Sequence, residues 1–396
     1  MEIIPERGTV GAMAQTGAMA NPVTLDALRS APKVLLHDHL DGGLRPTTVI
    51  EFADAIGHAL PSTDPDELHG YFIAGAEAKD LLRYLDTFQH TLAVMQSADT
   101  VGRVAYECAL DLAADGVVYA EVRFAPELHQ AGGLALETVV AAALDGFRRG
   151  EQAAAALGRP ITVNAILCAM RTGHRSEEIA RLAVQMRERD AKVVAFDLAG
   201  AETGFPPSMH AAALALARAA QMNLTIHASE PPDIELIADA LAQGTHRIGH
   251  GVRLQADIAW AADGTPVRLG RVARHVLDRQ IPLEMAPTCH VQVGAVADLA
   301  AHPIDRFLRM GIKVTVNTDN RLMSNVSVTS ELHALSTTFG WGWNEIAEVV
   351  VNGIESSFAP FAERHRLRTE VIEPAYAALR GVARDGGLHG AARGAT

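Results

Sequence analysis

Eight short apolar runs alternate with longer stretches of helical periodicity along most of this chain. The runs are KVLL (33–36), VVYAEVRF (117–124), ITVNAILC (161–168), VVAFDLA (193–199), LTIHA (224–228), RIGH (247–250), IPLEM (281–285) and IKVTVNTD (312–319). Runs of this length, rich in β-branched and aliphatic residues, are typical of parallel strands that are buried on both faces. The alternation predicts an α/β fold, a (β/α)₈ TIM-type barrel with extra helices after strand 1 and at the C-terminus.

A doubly wound open sheet is the alternative fold for such an alternation, and it predicts a glycine-rich phosphate loop after an early strand. The sequence GGL at 42–44 does not match G-x-G-x-x-G, and no G-x-x-x-x-G-K-[ST] occurs. The length of 396 residues also suits one barrel. We expect a flexible N-terminal extension at 1–25, a single barrel domain at 26–382 and a flexible tail at 383–396.

Composition excludes several classes of partner. The chain has 34 basic and 47 acidic side chains, a net charge of −13, whereas nucleic-acid-binding surfaces are basic. It has no apolar stretch long enough to span a bilayer and no basic segment followed by an apolar one at its N-terminus. Its three cysteines have no C-x-x-C spacing, which suits a reducing compartment. We expect a cytoplasmic protein that binds a small molecule, and a homo-oligomer remains open.

Polar side chains interrupt the apolar runs where the strands end. His37 and His39 close the first strand two residues apart, a spacing that places both on one face. His227 ends the fifth strand, His250 the sixth and Asp319 the eighth. A closed barrel gathers the carboxyl ends of its strands at one mouth. Three histidines and one aspartate from strands 1, 5 and 8 are therefore expected to bind one Zn²⁺ with a position open for water.

Glu230 lies three residues after His227, in the loop beyond the fifth strand. It is either an acid at the N-terminus of the following helix or a catalytic group that reaches over the substrate, and the position at the barrel mouth favours the second role. Asp197 either orients a neighbour or caps its strand. His129 either lines the pocket or supports a loop.

Six motifs together resemble the adenosine and AMP deaminase family of the metal-dependent amidohydrolases. They are PKVLLHDHLDGG, VVYAEVRFAPELH, FDLAGAE, TIHASE, RIGHG and VTVNTDN, which occur in the family's order between about Pro32 and Ala378. The resemblance implies a barrel with one zinc ion per chain that uses water to remove the 6-amino group of a purine nucleoside as ammonia. It thereby implies a hydrolase of purine and nucleotide metabolism.

The resemblance also implies a role for each matching residue. His37, His39, His227 and Asp319 match the zinc ligands, and His39 is expected to contact the substrate as well. Glu230 matches the residue that gives a proton to N1 of the purine, and His250 matches the histidine that orients the attacking water. The substrate contacts implied are Asp41 to the ribose, the Gly200 amide to N3 and Asn320 to N7.

The chain departs from the family pattern in three places. Asn320 stands where many members have an aspartate, and an amide donates to N7 without needing a raised pKa. Ser229 replaces the glycine of H-A-G-E, and a serine there is strained if φ is positive. Ala286-Pro287-Thr288-Cys289-His290 replaces the usual Cys-Pro-x-Ser-Asn. A deaminase of a modified adenine nucleoside or of adenine, and a non-catalytic nucleoside-binding protein, therefore stay as alternatives.

Overall fold

The computed structural model describes residues 22–79, 81–230 and 233–381. The expected flexible ends fall mainly on residues 1–21 and 382–396, which lie outside the described residues. Thr24 caps a helix that begins at Leu25, one residue before the predicted domain boundary at residue 26.

Eight parallel strands form the predicted barrel, with the sheet order β1-β2-β3-β4-β5-β6-β9-β10. Every residue of β4 and β6 is buried, as expected of strands covered on both faces. The chain also contains an antiparallel hairpin of β7 and β8 outside the barrel. The strands are β1 Lys33–His39, β2 Val117–Phe124, β3 Thr162–Met170, β4 Val193–Ala199, β5 Asn223–Ala228, β6 Arg247–His250, β7 Ile258–Trp260, β8 Pro266–Leu269, β9 Leu283–Met285 and β10 Val314–Val316.

The barrel closes between β1 and the chain that follows β10. The sequence placed Asp319 within the last strand, but β10 ends at Val316 and Asp319 has a left-handed φ of 56°. This conformation cannot continue a strand. Asp319 instead forms an isolated bridge to Asp38, in which its N–H donates to His37 O at 3.0 Å and its carbonyl accepts from His39 N at 2.7 Å. The closure thus fixes Asp319 directly beside two of the histidines singled out from the sequence.

Helices cover the outside of the barrel, and the first connection holds five of them, α2 to α6. The helices are α1 Leu25–Ser30, α2 Pro46–Ile56, α3 Pro65–Ala76, α4 Leu81–Asp86, α5 Phe88–Val94, α6 Ala98–Ala114, α7 Leu136–Ala156, α8 Ser176–Arg189, α9 Ala211–Ala219, α10 Glu235–Ala242, α11 Arg271–Arg279, α12 Pro287–Gln292, α13 Ile304–Arg309, α14 Arg321–Ser324, α15 Val328–Phe339, α16 Trp343–Ser356, α17 Phe361–Arg366 and α18 Glu373–Leu379. A π-helical turn, Leu367–Ile372, joins the last two. Across the described ranges, none of the helices has the length and apolar character needed to cross a bilayer.

Candidate active site

Four histidines and one aspartate converge at the mouth of the barrel. His37 and His39 come from β1, His227 from β5 and His250 from the end of β6, and Asp319 follows β10. The ring centroid of His37 lies 4.7 Å from that of His227 and 4.8 Å from that of His250. All five side chains that the sequence placed at strand ends are therefore neighbours in space.

Four of these side chains bring donor atoms to the spacing of a metal site. His39 Nε2 lies 3.2 Å from His227 Nε2, and Asp319 Oδ1 lies 3.2 Å from His37 Nε2 and 3.4 Å from His39 Nε2. Zinc–ligand bonds of about 2.0–2.1 Å in a tetrahedron separate neighbouring ligands by roughly 3.3 Å. His37 Nε2 is buried and has no hydrogen-bond partner. This donor set therefore suits a divalent metal such as zinc.

A second possible set replaces His39 by His250, since donor atoms of His37, His227, His250 and Asp319 all lie within 4.8 Å of one another. His39 Nε2 nevertheless lies 3.2 Å from His227 Nε2 and 3.4 Å from Asp319 Oδ1, close enough to share an ion with both. The fourth ligand is therefore either His39 or His250 on these distances.

Two buried carboxylates orient two of the histidines. Glu284 Oε2 lies 2.8 Å from His37 Nδ1, and Asp197 Oδ2 lies 3.0 Å from His227 Nδ1. Each carboxylate accepts the Nδ1 proton, which leaves the Nε2 lone pair facing the other donor atoms. Asp197 was left open between two roles by the sequence and orients a neighbour. Glu284 was not recognised, although an acidic residue inside the apolar run IPLEM is a signal for it.

Glu284 is held ionised by buried cations. Arg123 Nη2 donates to its Oε2 at 2.7 Å, and Arg247 Nε donates to its Oε1 at 2.5 Å. Burial alone would raise the pKa of Glu284, but these two guanidinium groups lower it well below its usual range. Arg123 also donates to Asp197 Oδ2 at 2.7 Å, so one arginine joins the two carboxylates.

Glu230 faces the same cavity from the loop after β5. Glu202, from the FDLAGAE motif, accepts from the backbone N–H groups of Ser229 and Glu230 at 2.8 and 3.0 Å and so fixes this loop. Burial raises the pKa of Glu230 well above its usual range, and the nearby charges of Asp319 and Glu202 raise it further. A buried carboxyl whose pKa is raised in this way holds its proton more readily than an exposed one and is suited to donate it.

Two departures from the family pattern lie beside this carboxyl. Ser229 has a φ of 65°, the left-handed conformation that glycine adopts more easily. Its hydroxyl donates to the carbonyl of Asp233 at 2.5 Å, a bond that occupies the hydroxyl within its own loop. Cys289 Sγ donates to Asp319 Oδ2 at 2.9 Å and lies 3.8 Å from Glu230 Oε1. The thiol therefore contacts a candidate metal ligand directly.

The cavity above these groups has a volume of about 280 Å³. Asp41, Gly200 and Asn320 line it, as do His39, His227, His250, Glu230 and Asp319. Burial raises the pKa of Asp41 to about 7, and its Oδ1 has no hydrogen-bond partner. Asn320 Nδ2 donates to the Tyr84 hydroxyl at 2.8 Å, which leaves its second proton free to donate. One wall is apolar and consists of Phe88, Leu92, Ala125, Leu128, Met170 and Ala199.

His129 does not line this cavity. It is buried, and its Nδ1 lies 3.1 Å from the carbonyl oxygen of Met95. The loop-supporting role is therefore the one that the structure favours for it.

Comparisons with known proteins agree with this fold and identify a family. The family model described as adenosine deaminase matches residues 32–374. An adenosine deaminase of Mycolicibacterium vanbaalenii is 52% identical over 365 residues, which cover 92% of this chain and 100% of that protein. The crystal structure of adenine deaminase from Arthrobacter aurescens is 28% identical, with a TM-score of 0.73, and the match covers 87% of this chain and 98% of that one.

An amidohydrolase from Burkholderia ambifaria, solved with bound Zn, has the same fold. It is 21% identical with a TM-score of 0.76, and the match covers 92% of this chain and 96% of that one. The family model spans most of the chain, and about half of the residues are identical in a relative of nearly equal length. The chain therefore belongs to the adenosine deaminase family and is a hydrolytic deaminase.

Proposed function

We propose that this protein is a zinc-dependent enzyme that hydrolyses adenosine and 2′-deoxyadenosine to inosine and 2′-deoxyinosine, with release of ammonia, in purine salvage. One observation carries the proposal. A buried carboxyl with a raised pKa, Glu230, and a set of four candidate metal ligands face each other across one cavity. Replacement of an aromatic amino group by water requires both a strong nucleophile and an acid for the ring.

We assign one zinc ion per chain to His37, His39, His227 and Asp319. Three neutral imidazoles and one carboxylate, with no thiolate, form a donor set that zinc accepts while keeping a position open. Zinc lowers the pKa of a coordinated water to about 7 and so provides a nucleophile at neutral pH. Glu284 and Asp197 hold His37 and His227 in the tautomer that the metal requires.

Glu230 acts as the general acid. Attack of water on C6 moves electron density onto N1 of the purine, and the Glu230 proton transfers to N1 as the C6–oxygen bond forms. One proton of the attacking water goes to the amino group, and the C6–N bond breaks to give ammonia. The other proton of that water returns to the Glu230 carboxylate as the C6 carbonyl forms, which restores the acid. General acid catalysis of this kind contributes about 10²–10⁴-fold in rate.

Asp41, Gly200 and Asn320 hold the nucleoside. Asp41 Oδ1, which has no hydrogen-bond partner, is a hydrogen-bonding group for a ribose hydroxyl. The Gly200 N–H donates to N3, and the free Asn320 amide proton donates to N7. None of the described residues that line the cavity is a lysine or arginine. A 5′-monophosphate would therefore find no cation, which favours a nucleoside over a nucleotide.

A deaminase of adenine itself, or of a modified adenine nucleoside, is the second candidate. The similarity to an adenine deaminase structure at 28% identity favours it. The unpaired Asp41 oxygen favours a nucleoside, because a free base has no hydroxyl for it to bind.

A substrate panel separates these candidates. Ammonia release is measured with zinc-loaded protein on adenosine, 2′-deoxyadenosine, adenine, N6-methyladenosine and AMP, and zinc content is determined in the same preparation. We expect the highest kcat/KM with adenosine. Asp41→Asn should lower kcat/KM for adenosine and leave that for adenine unchanged. Glu230→Gln should lower kcat by about 10²–10⁴-fold for every substrate without loss of zinc. Failure of zinc-loaded protein to convert adenosine would refute the proposal.

The proposal includes a cytoplasmic location. All three cysteines, Cys108, Cys168 and Cys289, are buried free thiols, which agrees with a reducing compartment. The acidic net charge supports the absence of a nucleic-acid partner. Membrane independence and the possible homo-oligomer stay predictions.

A further inference from the structure

Three buried histidines form a row behind the candidate active site. His250 Nδ1 lies 3.0 Å from His290 Nε2, and His290 Nδ1 lies 2.9 Å from His302 Nε2. The rings of His290 and His302 are parallel within 5°. All three side chains are at most 1% exposed. The row runs from the cavity, which His250 lines, to the start of α13.

A backbone amide at the far end of the row fixes the direction of every bond in it. The N–H of Ile304 donates to His302 Nδ1 at 3.2 Å, and a backbone N–H cannot accept. His302 Nδ1 therefore carries a lone pair, so the neutral ring has its proton on Nε2. That proton is donated to His290 Nδ1, which places the proton of His290 on Nε2. His290 in turn donates to His250 Nδ1.

We propose that the Ile304 amide, His302 and His290 are positioning groups that hold His250 in the tautomer with its proton on Nε2, directed to the cavity. His250 then donates a hydrogen bond to the attacking water and offers no lone pair to a metal. The inference deepens the proposed function and rests on it for the role of the water. It also gives a physical reason for His39, and not His250, as the fourth ligand.

The row is not a path for protons to solvent. A relay of imidazoles moves a net proton only if its far end exchanges with water, and here the far end is a buried amide hydrogen bond. What the row can transmit is orientation and tautomer. His290 stands where the family pattern has asparagine, so this device belongs to the departure at residues 286–290 that the sequence analysis identified.

The position of each ring proton can be observed directly. Neutron diffraction from zinc-loaded, deuterium-exchanged crystals should show deuterium on Nε2 of His302, His290 and His250. Deuterium on Nδ1 of either His290 or His250 would overturn the proposal. This measurement does not depend on which substrate the enzyme uses, so it decides the proposal even if adenosine is not turned over.

A matched pair of variants at His302, the residue of the row farthest from the cavity, tests the function of the row. His302→Phe keeps the ring but removes the donor, so that His290 and His250 can reverse their bonds. His302→Gln places an amide N–H near the position of the lost Nε2. We expect His302→Phe to lower kcat about 10–100-fold with KM and zinc content unchanged. His302→Gln should recover most of kcat, and in crystals of His302→Phe the deuterium of His250 should no longer be confined to Nε2.

Two outcomes would show that the row only fills space. One is an equal loss of kcat in both variants, and the other is a wild-type kcat in His302→Phe. Either result would overturn the proposal.

Discussion

Glu284→Gln is the substitution for which the structure gives the most definite consequences. The carboxylate is fully buried and accepts four hydrogen bonds, from Arg247 and Thr225 on Oε1 and from Arg123 and His37 on Oε2. In glutamine one oxygen becomes an NH₂ group. Either orientation of the amide places this group against an arginine, so one guanidinium loses a charged partner.

The cost can be worked out from these contacts. Breaking a buried ion pair by removing one partner costs about 3–5 kcal/mol. The free energy of unfolding of a whole domain is about 5–15 kcal/mol, so we expect the Glu284→Gln protein to be folded but clearly destabilised. Where the NH₂ group faces His37, the ring can accept from it only by moving its own proton to Nε2. His37 then has no lone pair for the metal, and zinc affinity should fall about 10–100-fold.

Thr225→Val is the matched control, because it removes one neutral donor from the same carboxylate at 2.8 Å and leaves the charge in place. Thr225→Val should lower the free energy of unfolding by about 1 kcal/mol and leave zinc affinity unchanged. Stability is measured by denaturant unfolding of the zinc-free proteins, and affinity by competition with a chelating dye. Equal zinc affinity in Glu284→Gln and Thr225→Val, with neutron diffraction showing the glutamine NH₂ group against His37, would refute the argument that Glu284 sets the tautomer of His37.

Three further predictions concern single sites. Burial lowers the pKa of Lys33 to about 8, below its value in the unfolded chain. The unfolded chain therefore binds more protons than the folded protein between pH 8 and 10.5, and the free energy of unfolding should rise by about 3 kcal/mol across that window. The rise should be absent in Lys33→Met when both proteins are unfolded at several pH values. Cys289→Ala leaves Asp319 Oδ2 without its thiol donor and should weaken zinc binding, whereas Cys289→Ser supplies a hydroxyl donor and should keep the zinc affinity. Competition with a chelating dye measures both affinities, and the same zinc affinity in the two variants would contradict this prediction. Ser229→Gly should be more stable than Ser229→Ala by about 0.5–1 kcal/mol in denaturant unfolding. Both variants lose the hydrogen bond to Asp233, but only glycine relieves the backbone strain at a φ of 65°. Equal stability of the two variants would show that this backbone is unstrained.

The fold and the first layer of the site follow from local patterns in the sequence. Parallel strands buried on both faces are continuous apolar runs, and their carboxyl ends meet at one mouth. A polar residue that ends such a run, such as His227 or His250, is therefore placed in space by its position alone. The hairpin β7–β8 was missed although its turn contains Asp263-Gly264, a recognised hairpin signal. Its strands are short and only partly buried, so they do not show the continuous apolar pattern of barrel strands.

The groups behind the site could not be found in the same way. Glu284 meets Arg123 only because β9 and β2 direct side chains into the barrel at the same height, and this depends on how far the strands are shifted when the barrel closes. His302 lies in no strand and no motif, and its role depends on a loop that brings it against His290. A pattern of residue types shows which groups a site contains, whereas the tautomer of each group depends on contacts between distant segments.

The hydrogen-bond partner of Nδ1 in each imidazole determines whether Nε2 of the same ring offers a lone pair or a proton. His37 and His227 have carboxylates on Nδ1, which accept the proton and leave a lone pair on Nε2 for a cation. In the proposed row His250 has an imidazole donor on Nδ1, so its Nε2 would carry a proton and serve an oxygen instead. On this proposal one cluster of similar rings divides into ligands and a donor without any difference in residue type. Exchanging the partner should therefore exchange the role, and His290→Glu, which places an acceptor behind His250, should turn its lone pair to the cavity and create a competing metal ligand. Structures and zinc titrations of that variant would check this, and an unaltered coordination set would contradict it.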